Sequence, residues 1–488
     1  MRTVTAALAC LVVVLACSGT AGATTYGVAD DTGKYADDGG AAFFSRLNDV
    51  GMTENRVAVL WDAAHPSTIT DQAFLDRSIP QARLHGIEIV FAIYPARARA
   101  LAETPNGVEL FAEFAAKVAE RYPQVTKIVC LNEGNQPRFH QPEFDSAGRP
   151  AAGALQERTM AACYDALKSV NPSIDVLAFG ISPRGNDDFD ANSNVSRSPV
   201  LYVKDLGDAY RASGRTRPIA DDVAFHCHPN LNTDAPGVGF AWPNAGCINL
   251  DRMKQAWWDA FHRTGQPLFE ETGASAPAPG TKAYVRFFVD EAGYQARVPA
   301  DKSRFYSGSE NVKLLDDTTQ GNYYAQLIAM VACDRNVKLL NLFHLADETL
   351  LPGWQSGLEF ADGTPRSSYA IVKSALAANR ACHGSEHVWH HTTSVVGASV
   401  KFDRPHDSFL VSVAEGFTYR VSVLRGTKTV TSASGTNAGG QIQFKLPRLT
   451  AGTYRVAVKL KAQTNSERVS TFARTVQIAK AVRYNGRR

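Results

Sequence analysis

Val125-Thr-Lys-Ile-Val-Cys-Leu-Asn-Glu133-Gly134 is an apolar, β-branched run that stops on an amide and a carboxyl group. Such a run, with no polar alternation, reads as a strand buried on both faces, the kind found in parallel sheets. Seven similar runs surround it: Tyr26-Gly-Val-Ala29, Arg56-Val-Ala-Val-Leu-Trp61, Ile87-Glu-Ile-Val-Phe-Ala-Ile93, Val176-Leu-Ala-Phe-Gly-Ile181, Val223-Ala-Phe-His226, Pro267-Leu-Phe-Glu270 and Leu339-Leu-Asn-Leu-Phe343. Between them apolar residues recur at helical spacing, as in Val108, Phe111, Ala115 and Val118, in Met253, Trp257 and Phe261, and in Tyr323, Leu327 and Val331. A last helix is expected from Ser367 to Asn379. Strand–helix units in this alternation predict an α/β fold, a (β/α)8 (TIM) barrel over residues 24–385. An open doubly wound sheet is the alternative, but no Gly-x-Gly-x-x-Gly turn follows the first run, so nucleotide binding finds no support.

The chain has 488 residues, enough for such a barrel and a second domain. Its 51 basic and 48 acidic residues leave a formal charge of +3, a near balance that argues against a nucleic-acid binder, which would need a basic stripe. Residues 1–23 read as a secretory signal peptide: Met1-Arg2, an apolar run from Ala6 to Ala16, then Ala21-Gly-Ala23 as the cleavage site. The expected location is therefore extracellular, with lipid anchoring through Cys17 as the minor alternative. Export permits disulfides among Cys130, Cys163, Cys227, Cys247, Cys333 and Cys382. Six cysteines allow fifteen connectivities, so the sequence fixes none. Cys227–Cys247 would staple a loop, Cys333–Cys382 would tie the last two barrel helices, and Cys130 suits a buried thiol.

The texture changes after Cys382. Phe409–Val413, Tyr419–Leu424, Ile442–Leu446, Tyr454–Leu460 and Phe472–Val476 alternate strictly, with turns at Gly435-Thr-Asn-Ala-Gly-Gly440 and Ala451-Gly452. This predicts an immunoglobulin-like antiparallel sandwich over residues 386–480, followed by a basic tail at 481–488. No exposed aromatic row is evident, so the sandwich is expected to act as a spacer.

Two carboxyl groups stand at the ends of apolar runs, Glu133 and Glu271 (Phe269-Glu-Glu271-Thr-Gly273). The C-terminal end of a barrel strand is where this fold carries its chemistry. Opposed carboxyls there suit glycosidic cleavage, one donating a proton and the other attacking. Glu270 is the rival of Glu271; adjacent strand residues point oppositely, and the Thr-Gly that follows favours Glu271.

The region from Thr24 to Ala381 resembles the clan-A retaining glycoside hydrolases, the superfamily of cellulases, β-mannanases and β-xylosidases. The resemblance rests on Asn132-Glu133, on Glu271-Thr-Gly273, on Arg56 with Trp61 five residues on, on His226-Cys-His228-Pro229, and on Gly357-Leu358, Asp362-Gly363, Pro365 and Tyr369. It implies Glu133 as acid/base, Glu271 as nucleophile, Asn132 as partner of the sugar 2-hydroxyl and Arg56 as the cation that keeps the nucleophile ionised. Three departures concern the substrate more than the reaction class. Gly134 stands where the family has Pro, His228 where it has Tyr, and Phe343-His344 where it has Trp.

Trp61, Trp242 and Trp354 are candidates for stacking on sugar rings, each with core packing as the plainer reading. His226 and His228 lie two apart and share a face. They are read as hydrogen-bond partners of the substrate or of Glu271, with no metal, because no third ligand is evident nearby. Ser275–Asp317, with its six aromatic residues, reads equally as a substrate-face loop or a small surface subdomain. The reading is a secreted retaining β-glycoside hydrolase, monomeric, without cofactor, membrane span or nucleic-acid partner, acting on an oligo- or polysaccharide or a glycoside. The alternative is a weak or inactive carbohydrate-binding barrel with the sandwich as its attachment module.

Overall fold

The computed structural model describes residues 24–272, 284–403, 408–446 and 448–478. The predicted leader and basic tail lie outside them. The first six strands follow the sequence reading: β1 Thr25–Ala29, β2 Glu54–Trp61, β3 Glu88–Pro95, β4 Lys127–Cys130, β5 Asp175–Ile181 and β6 Asp222–His226. Then come two short strands, β7 Leu268–Phe269 and β8 Tyr284–Val285, followed by β9 Phe287–Ala292 and β10 Val337–Phe343. The closed parallel barrel runs β1-β10-β9-β6-β5-β4-β3-β2. Its interior is filled by Val90, Ala92, Val129, Leu177, Ala224, Phe288 and Leu339, all without solvent exposure. Helices such as Gly107–Arg121, Leu250–Phe261, Asp317–Ala332 and Ser367–Ala378 cover its outside through their apolar stripes.

One strand assignment is corrected. The barrel's seventh position belongs to β9, not to Pro267–Glu270. β9 pairs on one side with β6 (His226 opposite Glu291) and on the other with β10 (Leu342 opposite Ala292). Leu268 and Phe269 pair only with Tyr284 and Val285, outside the barrel sheet. The run is too short to cross the barrel, and Asn336, the residue before β10 begins, bonds the Glu270 backbone through its side chain (3.0 Å in each direction). That fixes Glu270 and Glu271 at the N-terminal rim, the end away from the mouth. Ser275–Asp317 is accordingly neither a plain loop nor a separate subdomain, since it contains a barrel strand.

Cys227–Cys247 and Cys333–Cys382 are bonded, and Cys130 and Cys163 are buried thiols. No helix among the described residues is long and apolar enough to cross a membrane.

The C-terminal region is a β-sandwich with strands β11 Ser399–Asp403, β12 Ser408–Val413, β13 Phe417–Arg425, β14 Lys428–Asn437, β15 Gly440–Lys445, β16 Gly452–Ala462 and β17 Val469–Ile478. One sheet is ordered β11-β12-β15 and the other β14-β13-β16-β17. Phe409, Val411 and Val413 from the first pack on Val421, Val423, Val456, Val458 and Leu460 from the second. The sandwich is joined to the barrel by Arg468, whose side chain is 1% exposed. Its guanidinium reaches Asp259 on the barrel helix Leu250–Phe261 (2.9 Å) and Glu415 (2.9 Å) in the sandwich.

Candidate active site

At the end of β4 the chain leaves the barrel through a strained turn. Leu131 has φ +73° and Glu133 φ +38°, left-handed values that non-glycine residues rarely adopt and that concentrate at functional sites. Neighbours over-determine the turn. Glu133 N donates to Gly180 O (2.8 Å), and the Asn135 side chain bonds Ser182 and Arg197 of the next loop (2.9–3.1 Å). Gln156 Nε2 donates to the Gly134 carbonyl, and Gln156 Oε1 accepts from Tyr202. A Cβ on residue 134 would collide with the Gln156 amide, which explains why glycine stands there in this chain.

The turn aims Glu133 at His226, the last residue of β6. Glu133 Oε1 lies 2.9 Å from His226 Nδ1. The other carboxylate at this point is Glu291, at the mouth end of β9. Its Oε2 lies 3.3 Å from the same Nδ1 and 3.3 Å from His228 Nε2. Sharing one ring nitrogen places these two carboxylate oxygens no more than roughly 6 Å apart, a bound that includes the roughly 5–5.5 Å spacing of retaining glycosidases. Glu291 Oε1 receives Arg56 Nη1 at 2.9 Å. Below it, Asp290, fully buried, takes Arg56 Nε at 3.0 Å and faces His226 Nε2 at 3.4 Å. Arg56 Nη2 donates to Asn132 Oδ1 (2.5 Å), which leaves the Asn132 amide N–H groups for a ligand.

Charge follows from these contacts. Burial works to raise the Glu291 carboxyl, but His226 and then Arg56 outweigh it and hold the group well below the usual carboxylate range. Burial works to deprotonate His226, but Glu291 and Asp290 outweigh it and push the ring up to about 10. An ionised carboxylate thus stands beside a second one at the barrel mouth.

The sequence candidates divide. Arg56, Asn132, Glu133, His226 and His228 converge here. Trp354 does too, its ring 4.6 Å from that of His228 and 5.0 Å from that of Phe343. Glu271 does not: it contacts His391 and His390 in the connection to the sandwich (3.8 Å for His390), on the opposite rim. Trp61 is fully buried against Phe111 (5.6 Å between rings), a core residue and not a sugar platform. Trp242 lies over Gly416 in a cavity of about 360 Å³ between barrel and sandwich, away from the carboxylates. Glu291 and Asp290 were missed. The signal was present: Phe287-Phe-Val-Asp-Glu291-Ala-Gly293 is an apolar run ending in Glu, a small residue and Gly, the same pattern that drew attention to Glu271.

No family model and no curated protein matches this sequence. Among solved structures it is similar to a family 39 glycoside hydrolase from the gut symbiont Bacteroides cellulosilyticus, at 13% identity and a TM-score of 0.49 over 91% of this chain and 74% of that one. It is similar to a glucosidase from Croceicoccus marinus, at 12% identity and a TM-score of 0.45 over 87% of this chain and 93% of that one. A third is an exo-β-1,4-mannosidase from an Opitutaceae bacterium, at 11% identity and a TM-score of 0.44 over 73% of this chain, which spans 59% of that protein's length.

Proposed function

We propose that the chain is a secreted retaining glycoside hydrolase, cleaving a β-O-glycosidic bond by double displacement. The observation that carries this is the pairing of Glu133 and Glu291 across His226 Nδ1 (2.9 and 3.3 Å) at the C-terminal ends of two barrel strands. Glu291 replaces Glu271 as the nucleophile.

In the first half-reaction a Glu291 oxygen attacks the anomeric carbon as Glu133 gives its proton to the leaving oxygen, forming a glycosyl ester on Glu291. In the second, Glu133 takes a proton from water, the hydroxide attacks the same carbon, and the ester breaks with the carboxylate leaving. Arg56 and His228 bond Glu291, orienting it and taking up its charge again as the ester is cleaved. Asn132, fixed by Arg56, offers its N–H to the sugar 2-hydroxyl, a contact that strengthens as positive charge develops at the anomeric carbon. Trp354 and Phe343 supply an apolar wall beside the sugar.

The test is the stereochemistry of hydrolysis. Proton NMR of a cleaved aryl β-glycoside should show the β-anomer as first product. First release of the α-anomer would overturn the double displacement.

A further inference from the structure

We infer that His226, His228 and Glu291 form a capture site for one divalent transition-metal ion of the zinc type, and that the bound ion blocks the catalytic cleft. The blocking half rests on the glycosidase reading; the binding half does not.

Three observations carry it. First, the donor atoms converge. His226 Nδ1 and His228 Nε2 each lie 3.3 Å from Glu291 Oε2, and all three lie within 4.8 Å of one another. Ligands about 2.0–2.2 Å from a tetrahedral ion stand roughly 3.3–3.6 Å apart, so small shifts would seat the ion. Second, Glu291 is divided in a way that suits this use: Arg56 takes Oε1, while Oε2 faces the two imidazoles. Third, the outer support of a ligating histidine is in place. Asp290 Oδ1, fully buried and without a hydrogen bond, lies 3.4 Å from His226 Nε2, which is likewise buried and unbonded. Metal-bound histidines commonly give that second N–H to a carboxylate.

Charge points the same way. Three carboxyl groups, Glu133, Asp290 and Glu291, surround the Arg56 guanidinium and the His226 ring, and the incoming ion would take the place of the His226 Nδ1 proton among them. The other such grouping among the described residues, Asp251, Asp334 and His387, already holds a cation, because Lys254 Nζ sits 3.1 Å from Asp251 and 2.7 Å from Asp334. The decisive residue is His228. A neutral tyrosine there could still hydrogen-bond the nucleophile but could not serve as a neutral nitrogen ligand.

The experiment titrates zinc chloride into the chelator-treated full chain by calorimetry and follows cobalt(II) by its visible absorption. One zinc per chain is expected, with intense tetrahedral cobalt bands. Affinity should fall by about 10–100-fold in Asp290→Asn and more in His228→Tyr and His228→Gln, each checked for its melting transition. Hydrolysis by the wild type should be inhibited by zinc and restored by chelator, and the inhibited fraction at a given zinc concentration should drop in His228→Tyr. Absence of saturable zinc binding, equal binding in both His228 variants, or activation by zinc would overturn the inference. Zinc binding by a chain that hydrolyses no glycoside would uphold the capture site and defeat the glycosidase reading. Hydrolysis without zinc binding would do the reverse.

Discussion

Glu133 stands in a left-handed conformation that costs of order 1–3 kcal/mol, held by bonds from Gly180, Asn135 and Gln156. The fit between Gly134 and Gln156 is tight enough to test alone. Gly134→Ala should drive the Gln156 amide away from the turn and lower kcat by about 100-fold through displacement of Glu133. Gly134→Ala with Gln156→Ala should recover part of that loss, because the colliding amide is gone. Steady-state kinetics of the two single variants and the double variant decides it; strict additivity would contradict the coupling. Removing Glu133 itself, as Glu133→Ala, should cost about 10²–10⁴-fold on substrates with poor leaving groups. The loss should be far smaller on activated aryl glycosides, which need no protonation.

At the scale of elements, β1–β6 and β10 were legible because each is an unbroken apolar run, the signature of a strand covered on both faces. β9 was not. Its Asp290-Glu291 ending carries two acids into the barrel, where Arg56 and His226 neutralise them, and a single sequence does not display those partners. The Glu-x-Gly pattern occurs twice, at Glu271 and Glu291, and only the pairing of β9 with β6 and β10 separates them. β14 escaped notice for another reason: Lys428–Asn437 is polar and mostly exposed, so its alternation has no apolar half. Within the site, Asn132, Glu133 and both histidines were legible from the strand ends that carry them, and Arg56 from the resemblance at the start of β2.

The loop after β4 also buries a second titrating pair, His140 and Glu143, 3.7 Å apart, with no hydrogen bond to either side chain. Burial lowers His140 to about 4 and pushes Glu143 well above the carboxyl range, with Arg197 opposing. The two act on stability with opposite signs. As pH falls from 6.5 to 4 the unfolded chain protonates its histidine while the folded chain does not, so the His140 contribution is lost. Over the upper part of that window, as pH falls towards 4.5, Glu143 contributes in the opposite sense, because the folded chain already holds the proton that the unfolded chain takes up. The two therefore oppose one another over that range. Glu143→Gln removes the compensation, so its unfolding free energy should fall more steeply than that of the wild type as pH drops from 6.5 towards 4.5. Denaturant melts across that range measure this; parallel pH profiles would contradict it.

For the whole molecule, the barrel and the sandwich are fastened by a charge and not by apolar area alone. Arg468 is buried between Asp259 of the barrel and Glu415 of the sandwich. Deleting one member of a buried ionic cluster leaves unpaired charge, so Arg468→Ala should destabilise the chain by about 3–5 kcal/mol. Differential scanning calorimetry should show unfolding at a lower temperature than in the wild type, or the barrel and sandwich melting apart. An unchanged thermogram would mean the contact carries no such weight. Activity of the surviving folded fraction should be retained, since the carboxylates lie at the barrel mouth.

The central claim is that Glu291, at the end of β9, and not Glu271 on the far rim, forms the covalent bond to sugar. It is tested most directly by incubating the protein with 2-fluoro aryl β-glycosides and mapping the adduct by peptide mass spectrometry. The account predicts one sugar per chain, esterified to Glu291 and absent from Glu291→Gln. An adduct on Glu271, or turnover that survives in Glu291→Gln and dies in Glu271→Gln, would contradict it.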